Sequence, residues 1–274
     1  MTNRKQVFDA LRSVLPPPGF GDPRVIAAAD ALCDAAGIPR DDAREPMDMV
    51  ALIDVSVLKA AAPESDAASL AEWVEPIKRA CRRFEMTTIR RMASFIAVFL
   101  AHESNLRPVN ESLNYSVEAL LSKFSRSRIS EADARRLGRK PGEGPLSADR
   151  QEAIANLIYG GEFGRKQLGN VQPGDGWVFR GTSAGQLTGR SNFTRFAAAM
   201  KMTLDQALSF ARTIEGGVMA AAWFWDENDI NRLADTPGVD DETRKINGGL
   251  MGLADRRARF DRTVAALLAR EKAR

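Results

Sequence analysis

Residues 101–116 read AHESNLRPVNESLNYS. The stretch holds two glutamates, Glu103 and Glu111, eight residues apart with Pro108 between them, and His102, the only histidine in the chain. A carboxyl group can deliver a proton and a carboxylate can take one from water. Two of them in unlike surroundings can therefore supply the acid and the base for cleaving one bond. Along a continuous helix the two backbones would stand about 12 Å apart, and along an extended chain about 26 Å apart. Pro108 cannot sit inside a regular helix without removing a hydrogen bond, so a bend near it can return Glu111 over the end of the apolar segment that precedes Glu103. An acid and a base that flank a hydrolytic water across a glycosidic bond stand roughly 6.5–9.5 Å apart, and the spacing permits that separation. Glu103 closes an apolar run, where desolvation disfavours charge and suits an acid. Glu111, in polar NESLNYS, suits a base. Taken alone, two loop glutamates are more often solvated surface, and His102 without a serine or cysteine motif is more often a hydrogen-bonded structural residue.

The elements that must position these groups read as helices. Phe8, Leu11, Val14 and Leu15 form a short amphipathic stripe stopped by the prolines at 16–18. A second helix spans 25–36 and closes at Gly37 and Pro39, and a third spans 47–62. The small and polar stretch 60–73, AAAPESDAASLAEW, reads as a linker. These signals predict a small helical segment over 1–66 and a main domain over 67–274. The main domain opens with a helix at 70–84. Thr87 or Thr88 then caps a long helix through RRMASFIAVFLAHES, apolar nearly all round and hence buried. Further helices fall near 117–124 and 148–159, and two or three more follow residue 189. Between them 160–189 is glycine-rich and reads as a loop with one short hairpin at most. It carries no phosphate-cradling motif. The fold class is mainly α.

Composition narrows the chemistry further. The 39 basic and 36 acidic residues leave a formal charge of +3, too mild to require a nucleic acid partner. Basic residues gather at 123–140 and 256–274, as a solvated face or as a surface for an anionic polymer or membrane. Cys33 and Cys81 fit no metal or redox spacing and read as reduced structural thiols. One histidine and two scattered cysteines argue against zinc, and no cofactor is expected. The apolar runs 92–101 and 218–225 are too short to span a membrane. The N-terminal MTNRKQVFDALRSVL lacks the apolar core of a signal peptide, so synthesis in the cytoplasm is expected.

Four motifs occur in one order: AHESNLRPVNESLNYS, GNVQPGDGWVFRGTSAGQLTGRSNF, AAAWFWDENDINRLAD and INGGLMGLADR. In that order the chain resembles glycoside hydrolase family 19 over roughly 70–260, and is most similar to its phage endolysin branch. The resemblance implies a lysozyme-like, two-lobed helical fold around a cleft. It also implies metal-free hydrolysis of β-1,4 bonds between N-acetylated amino sugars, with inversion. Carried over by position, Glu103 is the general acid, Glu111 the general base and Thr188 the hydroxyl that holds the attacking water. Gln186, Asn192, Tyr115 and Asn247 match sugar-contacting positions, and Arg256 matches a basic residue that pairs with the acid. Each also has a plainer reading: Gln186 and Thr188 as turn residues, Asn247 as a brace for NGG, and Arg256 as a surface charge. Trp177, Trp223 and Phe224 read as core. The chain departs from the branch pattern YRGRG-x-IQLTG at four positions, with Phe179, Thr182, Ser183 and Gly185.

The function expected on this basis is that of a peptidoglycan-degrading endolysin, a muramidase acting on wall glycan strands after release through a holin-like pore. A monomer is expected. The basic C-terminal helix is a candidate contact for the anionic envelope, and residues 1–66 a candidate wall-binding or targeting module. The alternatives are a chitinase acting on N-acetylglucosamine polymers, and a wall-binding protein with weak turnover.

Overall fold

Apolar residues recurring at helical spacing become helix throughout the chain. The computed structural model describes residues 4–15, 22–38, 48–107 and 110–274, so the expectations placed on the prolines at 16–18, on Pro39 and on Pro108 lie outside the described residues. Among the described residues the architecture is mainly α. Strand-type pairing is confined to isolated bridges between Asn110 and Thr182, Ser116 and Arg139, and Thr182 and Leu187.

The chain forms two compact units, Met1–Asp48 and Met49–Arg274. In the first, helices Arg4–Val14 and Pro23–Ala35 are joined by the buried Arg4 guanidinium. It pairs with Asp30 at 2.8 Å and with Asp34, and donates to the Ile38 carbonyl. The division expected between residues 66 and 67 falls instead after Asp48. Val57, Leu58, Ala61 and Ala62 are fully buried in the core of the second unit, contacts that a linker could not supply. The helix expected over 47–62 is a 3-10 turn, Met49–Leu52, followed by helix Val55–Ala61. Asp54 separates them because its carboxylate accepts from the Ser56 and Val57 N–H groups and so starts a new helix. Asp66 caps Ala67–Arg83 in the same way. Much of the presumed linker is therefore helix.

The second unit is built on one apolar helical run. Thr88, rather than Thr87, caps it by accepting from the Arg91 N–H. The run proceeds through Ile89–Ala93, widens to a π-helix over Ser94–Ala101, and ends with His102–Ser104. Every residue of the π segment is buried. It is covered by Val55–Ala61, by Ile214–Glu227 and by the C-terminal helix Leu253–Lys272. Phe95 meets Trp225 edge-on at 5.6 Å, and Phe99 lies 5.8 Å from Phe224. Trp223 packs on Phe196, so the tryptophan and phenylalanine of AAAWFW serve the core as expected. A second, smaller apolar cluster joins helices Val117–Lys123, Glu131–Leu137 and Ala148–Ile158 through Leu120, Leu137, Ile154 and Ile158.

The glycine-rich insert is more helical than its composition suggests. Gly161–Phe163, a π turn at Gly164–Leu168, and Asp175–Val178 are all helical, and the expected hairpin reduces to the Thr182–Leu187 bridge. Asp175 organises the insert. Its carboxylate accepts from the Val171 and Gln172 N–H groups and pairs with Arg190 at 2.6 Å. The departure at Gly185 also has a packing reason: a β-carbon there would lie 2.7 Å from Phe99 Cζ and 2.9 Å from Ala221 Cβ. Gly185→Leu is expected to destabilise the protein by about 1–3 kcal/mol through overpacking. A lowered urea midpoint at unchanged slope would report it, and an unchanged midpoint would contradict this packing.

Candidate active site

The residues expected to act together fall into two groups, one on each expected carboxylate. Glu103 lies at the end of the buried run and is partly accessible. Arg256, on the first turns of Leu253–Lys272, is 1 % exposed and donates to Glu103 Oε1 at 2.5 Å. The same guanidinium donates to the Val98 carbonyl inside the π segment. The expected pairing of Arg256 with Glu103 is present in the structure, and the arginine is a core residue rather than a surface charge. The wholly apolar setting expected for Glu103 is replaced by this ion pair. His102 is bonded to Asp255 at 2.8 Å, and Asp255 also accepts from Arg259, which fixes the start of the C-terminal helix beside Glu103. Gly252 permits this approach, since a β-carbon there would fall 2.5 Å from the imidazole. Asn247 is exposed at the end of helix Asp240–Asn247 and reaches only the Met251 carbonyl, at 3.4 Å.

Behind Arg256 stands a further carboxyl group, Glu242. It is fully buried, Ser94 donates to its Oε1 at 3.0 Å, and its Oε2 makes no hydrogen bond among the described residues. Burial pushes its pKa up to about 7, against the opposing pull of the Ser94 hydroxyl, Arg90 and Arg256.

Glu111 is held differently. The chain has two tyrosines, and both converge on it. Tyr159 donates to the carboxylate at 2.7 and 2.9 Å from its two oxygens, and Tyr115 approaches Oε1 at 3.3 Å. The Gly181 N–H donates to Oε2 at 3.1 Å, and the Glu111 N–H donates to the Gly181 carbonyl at 2.8 Å. Tyr159 is a site residue that the motif reading missed. The one signal in the sequence is the scarcity of tyrosine, with Tyr115 and Tyr159 the only two in the chain. Burial and the neighbouring Glu111 charge push Tyr115 up to about 12 and drive Tyr159 upward as well, so both remain neutral donors in ordinary buffers. Arg128 lies 5.5 Å from the Tyr159 ring and 4.0 Å from Phe163, anchored through its Nε to the Ile158 carbonyl.

Gly181 brings the remaining candidates to Glu111. A β-carbon there would meet Gln186 Oε1 at 2.4 Å and Glu111 Oε2 at 3.1 Å, so only glycine lets these side chains converge. Thr188 donates its hydroxyl to the Gln186 carbonyl at 2.9 Å, which leaves the oxygen lone pairs free to accept. Asn192, in helix Arg190–Met200, donates to the Thr188 carbonyl at 2.9 Å and so braces that residue. Trp177 lies beneath the Arg180 guanidinium at 3.5 Å. Glu111 thus stands where the two apolar clusters meet. Its tyrosines pack on the smaller cluster, while the 179–187 turn is rooted in the larger one through Phe179, Ala184 and Leu187.

The larger helical unit thus presents one arginine-paired and one tyrosine-held carboxyl group. Comparison with known proteins gives the family. No family model matches the chain. A glycosyl hydrolase family 19 domain-containing protein of Haemophilus influenzae is 33 % identical over 164 residues, which cover 58 % of this chain and 74 % of that protein. The chain belongs to glycoside hydrolase family 19, and so to the glycosidases. Among the described residues no group of side chains is arranged to hold a metal ion, and no helix is long and apolar enough to cross a membrane.

Glu242 gives a pH signature. Its folded-state pKa is raised, so the stability it contributes is complete below the range of a free carboxyl and is lost as pH rises through about 7. Relative to Glu242→Gln, the wild type is expected to lose up to about 3 kcal/mol between about pH 4.5 and 7.5. Parallel stability–pH curves for the two proteins would contradict this.

Proposed function

We propose that the chain is a peptidoglycan-degrading lysozyme of the endolysin type, cutting β-1,4 bonds between N-acetylated amino sugars with inversion. What supports the reading most is the contrast between its two carboxyl groups. Glu103 ends a buried helix against a single fixed cation, whereas Glu111 is surrounded by hydroxyl and amide donors at the edge of a polar turn.

In this reading Glu103 delivers its proton to the glycosidic oxygen as the bond to the anomeric carbon breaks, and Arg256, already bonded to Oε1, stabilises the carboxylate left behind. Glu111 takes a proton from a water approaching the opposite face of the sugar. Thr188, its own proton committed to the Gln186 carbonyl, accepts the water's other hydrogen and fixes its direction. Tyr159 and Tyr115 hold the Glu111 carboxylate so that one oxygen faces that water. Gln186, Asn192, Tyr115 and Asn247 line the path of the sugar chain. As a lysis enzyme it would be made in the cytoplasm and reach the wall glycan through a holin-like pore.

Glu103→Gln and Glu111→Gln are each expected to lower kcat on purified peptidoglycan by about 10²–10⁴ while leaving wall binding in place. Mass analysis of wild-type digests should find muramic acid at the new reducing ends, and proton NMR should show the α anomer first. Intact walls beside hydrolysed chitin oligomers would identify a chitinase instead. Equal, negligible turnover by wild type and both variants would identify a binding protein. Tyr159→Phe is expected to lower kcat by about tenfold with little change in KM, since it loosens the base rather than the sugar.

A further inference from the structure

The basic run at 123–140 is not absorbed by the two-carboxylate site. In the structure its later part builds one wall of a cavity of about 720 Å³, opposite the segment that follows Tyr115. That volume lies within the range of small-ligand pockets, roughly 300–1,000 Å³. The cavity is tied to the Glu111 site by backbone. The Arg139 N–H donates to the Tyr115 carbonyl at 2.9 Å, and the Val117 N–H donates to the Arg139 carbonyl at 3.2 Å. Gly138 allows the approach, since a β-carbon there would lie 2.8 Å from the Val117 backbone.

The lining has a definite chemistry. Val117, Leu121 and Pro141 supply apolar surface. Of its charged groups, Arg135 is paired with Glu131 at 2.6 Å, and Glu143 is committed to Arg150 and to the Lys140 N–H. The side chains of Arg139, Lys140 and Glu118 have no ion-pair partner among the described residues. Two cations and one carboxylate outside any ion pair, with Lys140 in the field of Glu143, and an apolar floor complement a short peptide that bears two carboxylates and an ammonium group.

We infer that this cavity is a peptide-binding site, in which Arg139 and Lys140 take the carboxylates of a short acidic peptide and Glu118 takes its amine. The inference rests on the peptidoglycan reading, because the glycan strands of a wall carry such peptides and chitin does not. Bound there, a peptide substituent anchors the strand beside Tyr115, whose hydroxyl approaches Glu111 at 3.3 Å. The site then selects for wall glycan by charge, at a place separate from the sugar-contacting residues.

The test uses the full chain and the soluble tripeptide N-acetyl-L-alanyl-γ-D-glutamyl-L-lysine, which carries two carboxylates and one ammonium group. Calorimetric titration at low salt should show binding to the wild type that weakens about tenfold or more in Arg139→Glu/Lys140→Glu and fades with added salt. Lys140→Glu alone, at an exposed position, should show the same direction if the double variant does not fold. In digestion assays the ratio of kcat/KM on peptide-bearing walls to kcat/KM on peptide-free glycan strands should fall about tenfold in the variant. No binding of this acetylated tripeptide by the wild type, or equal binding by wild type and variant, overturns the inference. Wild-type failure to cut peptide-bearing walls and peptide-free strands alike would count against the lysozyme reading alone, since peptide binding is measured without turnover.

Discussion

A buried arginine is the constraint from which the rest of the second unit follows. An unpaired guanidinium in a core would carry a prohibitive desolvation cost, so wherever Arg256 is buried its partners must be brought to it. Those partners are the Val98 carbonyl in the middle of the π-helical run and the Glu103 carboxylate at its end. One side chain thereby fixes the C-terminal helix against the central one, sets their register, and aims Glu103. Substituting it would leave a buried carbonyl and a partly buried carboxylate without their donor. The π geometry belongs to the same arrangement, since widened helical turns tend to occur where a helix serves a site.

The second carboxylate is held on a different principle. Among the described residues no cation is bonded to Glu111; it accepts hydrogen bonds from two phenolic hydroxyls and one backbone amide. The donors come from both apolar clusters, so its position depends on how the smaller helical cluster meets the 179–187 turn. Glu103 is thus anchored within one core, and Glu111 across two clusters. Arg128, stacked among Phe124, Tyr159 and Phe163, stiffens the tyrosine side of that junction.

Glycines do specific work at the site by letting groups approach where a β-carbon would intervene. Gly181 admits Gln186 to Glu111, Gly252 admits His102 to the C-terminal helix, and Gly185 admits Phe99 to the turn. The last explains one departure from the family pattern, because the space that an apolar side chain would fill is taken by Phe99. Thr182 uses its hydroxyl locally, donating to the Arg180 carbonyl at 3.0 Å.

Much of this was legible in the chain itself. Helical periodicity gave the α class, the all-round apolar run from Met92 to Leu100 gave the central buried helix, and ordered motifs gave the family and the partnership of Arg256 with Glu103. These are local or pattern-borne signals, which a linear sequence carries directly. The tertiary structure alone decided that Val55–Ala61 belongs to the larger unit, because small residues such as Ala60 to Ala62 read as linker until a partner surface buries them. It alone placed Tyr159 on Glu111, 48 residues away in sequence, and Glu242 beside Ser94, 148 residues away. Contacts over such separations depend on how whole helices pack, and no short window of residues encodes that.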